Sequence, residues 1–334
     1  MLVNVGKLMS HTSTKGGGGV KHPFNPSLVD AWFMSGLSNS DKPTQIVGVK
    51  KNKLQLKNFA YALNSGFGKY AVNWNGFAKT TANANFTNTD SSIHITEILV
   101  ATGKFLQTSA DETVAACKVK VEGITDDIKL RYVSYAEDGT GTYTYLKNGI
   151  NNLPISYKKY TGFAASAVGT CNITITQLPS AYEGALVFDG VDDYGICTGL
   201  PILDDYTVIC RRVIENVNNT VASKSVVTGN GAFIFEYRNV LAYSFGVPIS
   251  QNINLEDFVS YQTKNSYNGS TIKVGNADDT DTLTLGILRE RDSRLLKGAI
   301  YYFALYNKSL TPEEVEEEKV KLENYWEGGK NELA

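Results

Sequence analysis

In residues 299–306 every side chain is apolar or aromatic, so both alternating sets along the stretch must find cover. Eight residues rich in Tyr, Phe, Ile and Leu read as a strand buried on both faces, which requires a central place in a sheet that is itself covered. Elsewhere the period is two with one apolar face. Leu186 and Phe188 alternate with Val187 ahead of an Asp189-Gly190 turn. Phe233, Phe235 and Tyr237 are expected on one face of a hairpin region over residues 231–245, and residues 260–274 read as another, turning at Asn268-Gly269, a strong two-residue hairpin signal. The expected fold class is all-β, a sandwich.

One helix is expected, near the C-terminal end. Thr311 suits the N-cap, Pro312 the first helical position and Glu314 completes a capping box, with acidic residues at the positive end of the helix dipole. Val315, Leu322 and Trp326 form a partial apolar stripe, suited to closing off the sandwich.

The 334 residues allow two domains or one large sandwich with an insertion. Net charge is −2, yet residues 1–88 hold ten Lys against two Asp (+8), leaving 22 Lys and Arg against 32 Asp and Glu (−10) in the rest. Such asymmetry fits either a basic segment that meets an acidic partner or neutralisation within one fold. Nucleic-acid binding would need denser Arg and Lys with interleaved aromatics. No cleaved export signal and no membrane span is expected. Cys117, Cys171, Cys197 and Cys210 have no C-x-x-C spacing and no His within four residues. Free thiols packing as small apolar groups are expected, although Cys117 and Cys171 are candidates to face one another.

Residues 1–27 contain no acid, three Lys, two His, four consecutive glycines and two prolines. That composition suits an extended arm. Read as an anchor, its candidate contacts are Lys7, His11, Lys15, Lys21 and His22.

Two distant segments carry a family resemblance. The run Gly-Ala-Leu-Val-Phe-Asp-Gly-Val-Asp-Asp-Tyr at 184–194 and the run Gly-Ala-Ile-Tyr-Tyr-Phe-Ala-Leu-Tyr-Asn-Lys-Ser-Leu-Thr-Pro-Glu-Glu-Val at 298–315 resemble opening and closing strands of the laminin-G-like branch of the concanavalin A-like sandwiches. Leu28-Val-Asp-Ala-Trp32, Lys53-Leu-Gln-Leu-Lys-Asn-Phe59 and Ser65-Gly-Phe-Gly68 resemble that family's first strands. More than a hundred residues then intervene before the 184–194 segment, which implies an inserted domain. Within it, alternating segments begin near Cys117, Lys129, Thr142 and Cys171, and the length suits a small immunoglobulin-like sandwich. The expected organisation is an arm over 1–27, a discontinuous laminin-G-like sandwich over 28–88 plus 183–327, and an insert over 89–182.

Residues 29–70 and 184–197 also resemble virion proteins of tailed phages of gut bacteria, including the crAss-like phages. The resemblance implies a non-enzymatic head-fibre, decoration or tail-fibre protein. It would be assembled in the host cytoplasm into the virion, anchored by its N-terminal arm to capsid, portal or tail proteins, homo-oligomeric with a trimer first, and would present its laminin-G-like domain to host surface glycans. A secreted carbohydrate-binding module and a glycan depolymerase are the alternatives.

The residues point away from catalysis. Glycosidases of such folds pair two carboxylates across one bond, commonly as Glu-x-Asp-x-x-Glu, a pattern missing from this sequence. There is no Gly-x-Ser-x-Gly elbow, and His94 stands alone in a strand-like context. No cofactor is expected, with calcium at Asp189, Asp192 and Asp193 as the exception, since turn carboxylates supply the hard oxygens that calcium takes; the same residues also simply make turns. For sugar, where an aromatic ring must meet a pyranose with polar groups beside it, the candidates are Trp74 with Asn73 and Asn75, then Tyr143 and Tyr145.

Overall fold

The computed structural model describes residues 24–216, 218–227, 230–288 and 294–330. The proposed anchor residues Lys7, His11, Lys15, Lys21 and His22 lie outside them. Two compact units form, one from the chain up to Phe67 together with the chain from Gly184 onward, the other from Gly68 to Glu183. Each is an all-β sandwich of antiparallel sheets; the first adds one helix, Pro312–Lys330.

In the first unit, one eight-stranded sheet runs Ser270–Thr271, Ser266–Tyr267, Phe258–Thr263, Thr207–Ile214, Lys297–Tyr306, Ala181–Asp189, Gly66–Lys69, with Leu28–Phe33 also paired to Lys297–Tyr306. The other runs Gln45–Val47, Lys53–Lys57, Tyr194–Cys197, Leu283–Leu285, Thr220–Val227, Asn230–Tyr237, Leu241–Ser244, Val247–Ser250. Ala181–Asp189 and Tyr194–Cys197 therefore lie in opposite sheets, and the Asp-rich turn between them carries the chain across.

Strand Lys297–Tyr306 is central, as its sequence requires, because Thr207–Ile214 lines one side while Leu28–Phe33 and Ala181–Asp189 share the other. Its register against Thr207–Ile214 slips by one residue: Arg211 faces Tyr302 and Arg212 faces Ile300, leaving Tyr301 unpaired in a bulge. The slip sends Ile300, Phe303 and Leu305 into the core and both Tyr301 and Tyr302 to the helix side. There Tyr301 meets Trp326 edge-on at 5.3 Å, and the Tyr302 and Tyr306 hydroxyls donate to Glu323 and Glu318 at 2.8 and 3.0 Å. The helix begins with the expected box: Thr311 N–H donates to Glu314 Oε2 and Glu314 N–H to Thr311 Oγ1.

The chain before Leu28 is not wholly an arm. Phe24 is buried beside Phe33 and Tyr325, and Asn25 N–H donates to Glu318 Oε2 at 3.0 Å. Two positions of the expected arm, Phe24 and Asn25, thus pack against the helix.

A second correction lies in the 231–245 hairpin. Phe233 and Phe235 face the core as expected, but Tyr237 packs with Ile234 and Leu288 on the opposite side. A register shift between Ile234 and Tyr237 and a positive φ of 50° at Glu236 turn the Glu236 carboxylate inward in its place. There it forms a fully buried, two-pronged pair with Arg212 and accepts from Ser260 Oγ at 2.6 Å and Tyr267 Oη at 2.9 Å. At the other hairpin, Asn268 and Gly269 have φ of 44° and 84°, and Tyr267 pairs with Ser270, the left-handed geometry an Asn-Gly turn supplies. Buried Asp30 explains an acid in an apolar opening strand: its oxygens accept N–H groups of Ala31, Lys50 and Asn52, closing the following loop. Only glycine fits at Gly48, where a Cβ would lie 2.3 Å from that carboxylate.

The second unit packs a sheet ordered Gly141–Tyr145, Leu130–Tyr135, Gly162–Ala165, Lys104–Gln107, Ala78–Lys79 with one ordered Gly149–Leu153, Cys117–Glu122, Gly169–Gln177, Ser92–Ile98, Ala84–Asn88. It starts at Gly68 and not at residue 89, because Val72, Trp74, Phe77 and Ala84 bury themselves in its core. All four cysteines are free; Cys197 and Cys210 are buried, while Cys117 and Cys171 are half-buried.

Two expected outcomes follow from buried charge. Arg212→Met alone should cost about 3–5 kcal/mol in urea unfolding, since it strands the Glu236 carboxylate. Adding Glu236→Gln, which removes that charge but keeps an oxygen for Tyr267 and Ser260, should restore most of the loss. At the inter-sheet turn, burial above all raises the Asp193 carboxyl to a pKa of about 7, with Asp189 and Asp192 acting in the same direction. The folded state then holds a proton that the unfolded chain releases near pH 4, so stability falls as pH rises from about 4 to 7. Asp193→Asn should flatten that part of a urea-midpoint profile against pH.

Candidate functional site

The sequence candidates separate once placed. Trp74 is 1% exposed and meets Phe163 edge-on at 5.4 Å in the core of the 68–183 unit. It sits in a short 3₁₀ turn, Trp74–Gly76, that Asn73 caps by accepting Asn75 N–H at 2.9 Å. The flanking asparagines are exposed, but the ring they flank points inward and offers no stacking face. The Trp74 expectation is corrected by that burial.

Tyr143 and Tyr145 are 54% and 57% exposed. They belong to Gly141–Tyr145, an edge strand whose alternation puts Thr144 opposite core residue Tyr132 and both tyrosines on the outer face. A turn fixes the strand: Ala136 N–H donates to Thr140 O, Thr140 N–H donates to Asp138 Oδ1, and Gly139 has a φ of 87°.

Neighbouring strands extend this face with groups that were not singled out from the sequence. Arg131 stands opposite Tyr145, then Ala164, and Ala164 stands opposite Lys104, so one row crosses the sheet as tyrosine, arginine, alanine, lysine. The Arg131 guanidinium lies 4.5 Å from the centre of the Tyr143 ring. Lys104 Nζ donates to Tyr135 Oη at 2.8 Å and lies 5.1 and 5.6 Å from the ring centres of Tyr135 and Tyr160. Tyr160 is itself exposed. Alternation of Arg131, Val133 and Tyr135 against buried Leu130 and Tyr132 was the available signal; the cross-strand register that joins them to Lys104 was not.

The acidic turn is a different kind of feature. Asp189, Asp192 and Asp193 bring carboxylate oxygens within 4.8 Å of one another. Their hydrogen bonds hold the turn: Asp189 Oδ1 accepts Val191 N–H at 2.7 Å, while Asp193 accepts Ser65 Oγ–H and Asp189 N–H, both at 3.0 Å. Both Asp193 oxygens are thus already engaged by donors of the fold itself. His94 is exposed and 3.3 Å from Thr174 Oγ1 across the neighbouring strand.

No protein-family model matches this chain. No curated protein matches it. Among solved structures, allantoicase is similar at 9% identity over 77% of this chain and 91% of that one, with a TM-score of 0.16, too low to carry an argument.

Proposed function

We propose that the protein is a non-enzymatic adhesive component of a tailed-phage virion, a head fibre or capsid decoration, whose 68–183 unit binds host surface glycan. The virion assignment rests on the resemblance of residues 29–70 and 184–197 to such proteins, and the laminin-G-like reading of the larger sandwich rests on the same segments. The glycan assignment is carried by one observation: Tyr143 and Tyr145 stand side by side, more than half exposed, on the outer face of an edge strand. Large rings held in water by a rigid sheet cost little ordering on binding and offer a flat apolar face to a pyranose. Weak contacts of this kind suit a displayed homo-oligomer, a trimer in this reading, because several copies on one particle multiply the avidity. Residues before Phe24 would join it to other virion proteins.

The Tyr143→Ala, Tyr145→Ala double variant tests the adhesive face. Its binding to a glycan array and to purified host-surface polysaccharide should fall at least about tenfold, roughly 1.4 kcal/mol, with an unchanged melting temperature. Unaltered binding would remove this face from the proposal.

A further inference from the structure

The 68–183 unit carries an unneutralised cation pair among its exposed rings, and the larger sandwich supplies the contrast. Arg211 there is also stacked, 4.5 Å from the ring centres of Tyr301 and Trp326, and it is neutralised by Asp257 at 2.8 Å and Glu323 at 3.0 Å. Arg131 has the same ring contact but, among the described residues, no carboxylate within salt-bridge distance, and its buried Nε has no hydrogen-bond partner. Lys104 has a phenol oxygen and two ring faces, again with no salt bridge among the described residues. Lys159, 5.2 Å from the centre of the Tyr160 ring, adds a third cation to this set. Only fully buried Ala164 separates Arg131 from Lys104 across the sheet. Ring contacts hold both long side chains in place, which lowers the entropy lost when an anion arrives, and a planar guanidinium matches a carboxylate.

We infer that this face selects acidic saccharides, sugars bearing a carboxylate, with Arg131 and Lys104 meeting the acid group while Tyr143 and Tyr145 stack on the ring. The inference rests on the glycan-binding reading above and adds the ligand class. A neutral sugar would leave the cations without a counter-charge; an acidic one supplies it.

The test uses the full chain and matched probes in calorimetry: sialyllactose against lactose, and tetragalacturonate against its methyl ester. The acidic member of a pair should bind at least tenfold tighter, and that advantage should shrink from 50 to 300 mM salt, as expected for a screened surface charge. Arg131→Gln should abolish the acidic-over-neutral affinity ratio; Arg131→Lys should recover part of it, and Lys104→Met should produce a smaller loss. Melting temperatures check that each variant folds. Equal affinity for acidic and neutral members, with binding still lost in the Tyr143→Ala, Tyr145→Ala variant, overturns acid selection and leaves glycan binding standing. Binding to none of the four probes overturns both.

Discussion

One unpaired residue organises the larger sandwich. Without the bulge at Tyr301, strict alternation along Lys297–Tyr306 would put Ile300 and Tyr302 on one face and Tyr301 and Phe303 on the other. The slip instead sends Ile300, Phe303 and Leu305 to the core and two successive tyrosines outward. A sheet face bearing that much aromatic surface must be covered, and the helix Pro312–Lys330 covers it with Val315, Leu322 and Trp326. Arg211, stacked on both Tyr301 and Trp326, then ties strand, helix and the Asp257 loop together.

The elements that could be read from the chain are those fixed by local chemistry. The doubly apolar strand, the Thr311 to Glu314 capping box and the Asn268-Gly269 turn each depend on residues adjacent in sequence, and each stands where its residues place it. What escaped was set by distant partners. Tyr237 follows the alternation of Phe233 and Phe235, yet the chain twists at Glu236 because Arg212, on the facing sheet, holds its carboxylate. No pattern within residues 231–245 contains that information.

The same division governs the candidate site. Trp74 between two asparagines reads as an aromatic in polar surroundings, but a 3₁₀ turn directs the indole inward and the asparagines outward, a three-residue geometry that period-two reasoning misses. Tyr143 and Tyr145 alternate with threonines on a strand, so their shared face was legible and their exposure follows from the edge position. Arg131 and Lys104, 27 positions apart, come into one row only through Ala164 in a third strand. The domain boundary was misplaced for a related reason: residues from Gly68 to 88 carry the same kind of alternating pattern as those before them, and their core assignment depends on which sandwich closes over Val72, Trp74 and Phe77.

The docking of Phe24 and Asn25 has a mechanical meaning. Glu318 takes the Asn25 amide and the Tyr306 hydroxyl on one oxygen and the Lys321 ammonium on the other, so a single buried side chain joins the first described residues to the central strand and to the helix. Tension on the chain upstream of Phe24 therefore enters the fold through the C-terminal helix as well as through Leu28–Phe33, whose antiparallel pairing covers the Tyr302 to Tyr306 half of Lys297–Tyr306. The clasp is ionic and aromatic, so charge-assisted hydrogen bonds and ring packing yield together under load.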